Sequence, residues 1–165
     1  MRLNQTLLFF AILILIVMTR FGTTAVQAAQ KSVAVKIKPD IVLKEMTITC
    51  LGIEASGAHR LQIKAVVSNP VAMSSTGPFK VMVEFGSSGS SIDHILAEEN
   101  VAGLTNNGAS LTSPSATVLF HHIAKPGRAY FYRVTADSLG LVDEANEANN
   151  RRVVEYRVPP VILGR

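Results

Sequence analysis

From residue 41 to residue 158 the sequence alternates apolar and polar side chains with a period of two, in seven short runs. Such alternation is the mark of strands with one face buried and one face wet. The runs cover residues 41–51, 60–68, 79–85, 95–101, 117–123, 129–136 and 151–158. In the second, Leu61, Ile63, Ala65 and Val67 share a face, with Gln62 and Lys64 on the other. In the third, Phe79, Val81, Val83 and Phe85 oppose Lys80, Met82 and Glu84. In the sixth, Tyr130, Tyr132, Val134 and Ala136 align, and in the last Val154, Tyr156 and Val158 do. No long helical periodicity competes with them. The one helix-friendly stretch, residues 143–150, has room for about two turns. Seven short strands separated by turn chemistry predict an all-β, two-sheet antiparallel sandwich.

The breaks between runs carry residues that favour turns. Asn69-Pro70 and Gly77-Pro78 bracket one connection, and Asn106-Asn107-Gly108 with Ser113-Pro114-Ser115 mark another. Residues 86–91 (GSSGSS) read as a flexible loop or a wide hairpin end. Pro126-Gly127 fits the centre of a type II turn.

The amino terminus has a different grammar. Arg2 precedes an unbroken apolar run at residues 7–18, and Arg20 ends it. A membrane span needs about 20 such residues. Twelve residues is instead the length of a signal-peptide core. Val26 and Ala28 stand where a signal peptidase reads small residues, so residues 1–28 are expected to be a signal helix cleaved after Ala28. The alternative is an uncleaved anchor reaching Val26, which would bury Arg20 at about 2.5 kcal/mol or more. No Cys lies near the cleavage point for lipid attachment. Residues 29–38 would follow as a short segment, and residues 159–165 as a tail. The expected location is secreted or periplasmic, with membrane contact only through the signal segment if it stays.

The formal charge is +4, from 16 basic and 12 acidic residues. Removal of Arg2 and Arg20 leaves 14 against 12, or +2, and only Arg151-Arg152 are adjacent. No basic stripe follows, so nucleic acid is not an expected partner. The single Cys, Cys50, cannot pair within the chain. It aligns with Met46 and Ile48, which predicts a buried, inert thiol; the alternative is an intermolecular disulfide. Of four His, His121 and His122 are adjacent on a strand and point to opposite faces, which argues against a shared zinc ion. No nucleophile, metalloprotease or phosphate-loop motif is present, and the reading is non-enzymatic.

Tyr130 follows the Pro126-Gly127 turn, near the start of the sixth run. In immunoglobulin-like sandwiches a Tyr at this corner bonds back to backbone just upstream. Residues 137–150 (DSLGLVDEANEANN) then resemble the closing signature of CARDB, the cell-adhesion-related domain found in bacteria. Pro39-Asp40-Ile41-Val42 resembles that family's opening, and Asn69 and Gly77-Pro78-Phe79 also match. The resemblance spans residues 39–158. It departs in the longer, polar stretch 86–115 and in Asn69-Pro70-Val71, where the family usually has Asn-x-Gly. It implies a seven-stranded antiparallel immunoglobulin-like β-sandwich after the signal helix. It also implies an exported adhesion-type module of a bacterial cell envelope, contacting protein or glycan partners through end loops or edge strands. A small exported enzyme accessory or inhibitor on the same scaffold is the alternative.

The motif itself admits two physical readings. Asn146, Asn149 and Asn150 can bond nearby backbone and set the last strand's register, with Asp143 and Glu144 forming one helical turn. Alternatively Asp137, Asp143, Glu144 and Glu147 offer hard oxygen ligands for calcium, at spacings unlike an EF-hand. No other cofactor is expected.

Overall fold

The structure, a computed structural model, describes residues 36–161. The expected signal helix, residues 1–28, lies outside the described residues, as do residues 29–35 and 162–165. Among the described residues all regular structure is β, and no helix is long and apolar enough to cross a membrane.

Nine strands follow in order: β1 (Val42–Ile53), β2 (His59–Ser68), β3 (Ser74–Ser75), β4 (Phe79–Ser88), β5 (Ser91–Val101), β6 (Thr105–Asn106), β7 (Ser115–Ala124), β8 (Ala129–Ala136) and β9 (Arg151–Arg157). The seven long strands overlap the seven alternating runs. The expected count of seven is corrected to nine by β3 and β6, which pair with each other inside stretches read as turns. They are held by the Ser75–Thr105 hydroxyl contact at 3.0 Å and by reciprocal bonds between Thr76 and Leu104. Two-residue strands are too short to show alternation.

One sheet has the order β1-β2-β7 and the other β5-β4-β8-β9, both antiparallel. They face each other as a sandwich, with β1 over β8 and β9 on one side and β5 beside β7 on the other. The predicted inward residues meet in one core: Leu61, Ile63, Ala65 and Val67 of β2 and Val81 and Val83 of β4 are almost wholly buried. Tyr132, Val134 and Ala136 of β8 complete the opposite wall. Burying a side chain of this size contributes about 1.5–3 kcal/mol.

Two local expectations are revised. Cys50 is exposed, not buried. β1 is an edge strand with a bulge between Cys50 and Gly52, and it overruns the core there, so Leu51 and Ile53 are exposed too. Residues 143–150 form bends and turns with no helix, because their side chains capture the backbone amides a helix would use.

Candidate functional site

Antiparallel strands sort the connections to two poles. Residues 36–41, 69–78, 102–114 and 137–150 gather at the pole where the described chain begins. Residues 54–58, 89–90 and 125–128 gather at the opposite, hairpin pole, with 158–161.

At the first pole polar side chains replace the sheet ladder. Asn69 is completely buried. Its Oδ1 accepts the Asp40 and Val71 amides at 3.3 Å each, and its Nδ2 donates to Ser74 Oγ at 3.0 Å and Leu104 O at 3.1 Å. Asn106 Nδ2 donates to the Asn69 carbonyl at 3.1 Å. Asp137 ends β8 with φ of 46°, a left-handed conformation that Asp adopts when its side chain bonds locally. Its carboxylate accepts the Leu141 and Val142 amides at 3.0 and 2.9 Å. Glu144 reaches under the opening segment: one carboxylate oxygen accepts the Ile41 amide and the other accepts Asn150 Nδ2 at 2.8 Å. Asn149 Nδ2 donates to Asp40 at 2.9 Å, while its carbonyl accepts the Leu43 amide. The Ala136 amide donates to the Asn150 carbonyl at 2.8 Å and carries β8 across to β9. Asn146 Oδ1 accepts the Ala148 amide, closing a turn within the loop. Together these bonds latch residues 39–43 to the β8–β9 loop. Burial pushes the Glu144 carboxyl up from 4.5 to about 7; the Ile41 and Asn150 donors oppose this, and nearby Glu147 and Asp137 reinforce it.

The four carboxylates offered for calcium therefore have other partners. Asp137 and Glu144 bind backbone and Asn150 as above, Asp143 pairs with Lys38 at 2.6 Å, and Glu147 accepts the Glu144 amide at 3.3 Å. Among the described residues no three His, Cys, Asp or Glu side chains converge to hold a metal ion. A calcium ion needs six to eight oxygens turned to one point. In this loop the four carboxylates turn to backbone amides, to Lys38 and to Asn150, while the buried Oδ1 atoms of Asn149 and Asn150 have no partner.

The hairpin pole is built on irregularity. β4 and β5 lose register between Val83 and Glu84, again between Phe85 and Gly86, and again before Ser88. Such bulges re-aim side chains. Gly86 is required there, since a Cβ would fall 1.8 Å from the Ser91 carbonyl oxygen. The segment expected to be a loose loop is thus strand up to Ser88, and a two-residue turn, Gly89-Ser90, joins it to Ser91. A bidentate pair braces it from the outer face: Arg133 Nε and a terminal nitrogen donate to Glu84 at 2.6 and 2.7 Å. The same nitrogen donates to the Ile92 carbonyl at 3.1 Å. The Glu84 bond raises the Arg133 pKa further.

Inside the pole lies an aromatic cluster. Phe85 stands 4.6 Å from His122, 5.3 Å from His94 and 6.2 Å from Tyr130, centre to centre. The Tyr130 hydroxyl oxygen accepts the Lys125 amide at 2.8 Å, tying the β7–β8 corner. His122 Nδ1 bonds the Tyr132 hydroxyl at 2.6 Å, and burial lowers the His122 pKa and raises that of Tyr132. His121 is exposed on the opposite face. A cleft of about 340 Å³ opens beside this cluster, lined among others by Phe85, Ser91, Asp93, His94, Arg128 and Tyr130.

No protein-family profile matches the sequence, and no curated protein does. Solved structures do match. The CARDB domain of a Pyrococcus furiosus protein, in complex with di-metal ions, is 18% identical with a TM-score of 0.52, covering 73% of this chain and 89% of that one. A domain assigned to a cell surface protein of Methanosarcina acetivorans is 20% identical at the same TM-score, covering 74% and 93%. This chain has a CARDB-like fold. In this CARDB-like domain the residues that carried the resemblance, Asn69, Asp137, Asn149 and Asn150, make the latch at the first pole. Of those lining the cleft, Phe85 stood out in the sequence as one face of its run, Gly86, Ser87 and Ser91 as part of the 86–91 segment, the natural candidate for a recognition loop, and Tyr130 as a corner residue; Asp93 and Arg128 did not stand out. One signal was available: a Gly within an alternating run marks a bulge or a close backbone approach.

Proposed function

We propose that the protein is an exported, non-enzymatic recognition module of the cell envelope. It contacts protein or glycan partners through the hairpin pole. The observation that carries this reading is the cleft there: shaped by three braced register breaks between β4 and β5, open to solvent, and set on a rigid sandwich. Recognition residues concentrate on such loops because the scaffold holds them without depending on them for packing. Three further facts support it. The apolar run at residues 7–18 has the length of an export signal. The fold is shared with a domain assigned to a cell surface protein. Adhesion is what the CARDB resemblance implies.

The test is fractionation of cells producing the full chain with a carboxy-terminal tag. The reading expects recovery in periplasm or medium, with an amino terminus at residue 29, and retention on purified envelope material that is lost when Asp93 and Arg128 are both changed to Ala. Recovery from the cytoplasm at full length would refute export. Retention unaffected by the double substitution would move the contact surface elsewhere.

A further inference from the structure

We infer that the hairpin-pole cleft holds one pyranose ring of a neutral glycan. This rests on the recognition reading above and names the chemistry of its ligand.

The cleft offers three kinds of group that together suit a sugar. The first is an aromatic wall. Phe85 and Tyr130 are half-buried, and the His94 ring lies tilted by 33° against Phe85. Aromatic faces carry negative charge density, so they attract the polarised C–H bonds on the flat face of a pyranose. The second is a pair of opposite charges at the rim. Asp93, acceptor-only when ionised, can take bonds from two neighbouring hydroxyls. Arg128 presents a fork of donors to hydroxyl or ring oxygens. The Ser91 hydroxyl can do either. The third is size. Small-molecule pockets run from about 300 to 1,000 Å³. At about 340 Å³ the cleft is large enough for a single ring.

The charge balance narrows the class. One carboxylate and one guanidinium on the same rim cancel formally, with His94 Nε2 3.5 Å from an oxygen of that carboxylate. A phosphate, sulfate or uronate would gain from Arg128 and lose to Asp93. An apolar ligand would strip water from both with nothing in return. A neutral polyol uses each.

The site is also built before any ligand arrives. Gly86 packs against the Ser91 backbone, closer than any side chain permits. Arg133, itself gripped by buried Glu84, holds the Ile92 carbonyl next to Asp93. Asp93 and His94 therefore follow a segment pinned on both sides, and pre-set geometry lowers the ordering cost of binding.

The experiment uses the full chain and amide NMR. The probes are glucose, mannose, galactose and N-acetylglucosamine, the β-1,4-linked disaccharides of glucose and N-acetylglucosamine, and glucuronate and glucose 6-phosphate as anionic counterparts. At least one neutral sugar is expected to shift amides at 85–94 and 128–130 with a Kd of about 1 mM. Asp93→Ala and Arg128→Ala should each weaken that binding by about tenfold or more, since each removes a hydrogen bond to a charged group. Both residues are exposed, so the folded spectrum should persist, which shows that loss of binding is not loss of fold. Three results overturn the inference: no shift from any neutral sugar at about 50 times that concentration, tighter binding of the anionic sugars, or binding indifferent to both substitutions. The two readings fail separately. Envelope retention without sugar shifts sinks the sugar and spares the recognition role; sugar shifts in a protein that stays cytoplasmic do the reverse.

Discussion

The two poles of the sandwich are rich in polar residues and use them in opposite ways. At the pole where the described chain begins, Asn69, Asp137, Glu144 and Asn150 are buried and spend their hydrogen bonds on the protein's own backbone and on one another. At the hairpin pole, Asp93, His94 and Arg128 stay exposed beside half-buried rings, with Asp93 Oδ1 3.5 Å from His94 Nε2. The first arrangement holds long loops by side-chain bonds where no ladder reaches, leaving Ser138 Oγ and the Oδ1 atoms of Asn149 and Asn150 without a partner. The second leaves donors and acceptors for something else. An Asp- and Asn-rich motif is therefore poor evidence of a ligand site until its partners are known.

The largest effect should come from the latch. Asn69→Ala takes their Asn69 partner from the Asp40 and Val71 amides and removes one of two bonds each at Leu104 O and Ser74 Oγ, which keep Thr76 N and Val71 O, and is expected to cost about 3 kcal/mol in chemical denaturation. A loss below about 1 kcal/mol would break the contrast between the poles.

Glu144 sharpens it through pH. The unfolded chain releases this proton near 4.5 and the folded chain at about 7. Between these values the folded form binds more proton, so stability falls as pH rises from 4.5 to 7 and is flat on either side. The fall is at most about 3 kcal/mol. Buried Asn150 Oδ1 has no partner. A flip of that amide would let it accept the proton of neutral Glu144, consistent with the raised pKa. Glu144→Gln should remove the fall in thermal stability between about pH 5 and 7, whatever its absolute stability, and leave the opposite rise below pH 6.5 that His122, its pKa lowered by burial, contributes; a fall that persists would assign the titration elsewhere.

Smaller is the corner. Tyr130→Phe removes one bond, to the Lys125 amide, and should lower stability by about 0.5–1.5 kcal/mol. Smallest is the rim: Arg128→Ala should stay within about 0.5 kcal/mol of the parent in the same assay. A larger cost there would mean that the hairpin pole, too, is consumed by its own structure.

The long strands were legible because alternation and inward packing have the same cause. Leu61, Ile63, Ala65 and Val67 read as one face, and they are one buried face. β5 read as starting at residue 95, but the strand begins at Ser91. Its first turn carries the bulges, where the period of two is broken by Asp93 and His94. Cys50 misled for a related reason: it keeps the alternation of Met46 and Ile48 after β1 has passed the edge of the core. Periodicity reports which side of a strand faces inward, not how far the inside extends. The partners of Asp137 and Glu144 were out of reach, because a carboxylate's appetite for amides and for cations looks identical in one dimension. The Glu84–Arg133 pair joins residues 49 apart, and no local pattern announces it.

The latch fixes the polarity of the molecule. Residues 39–43 are pinned at one pole and the cleft lies at the other, about 30 Å away along strands of ten residues. Any tether joined ahead of Lys36 would pull on the end remote from the mouth, so a pulling load and a bound guest would sit at opposite extremities, in line with the strands.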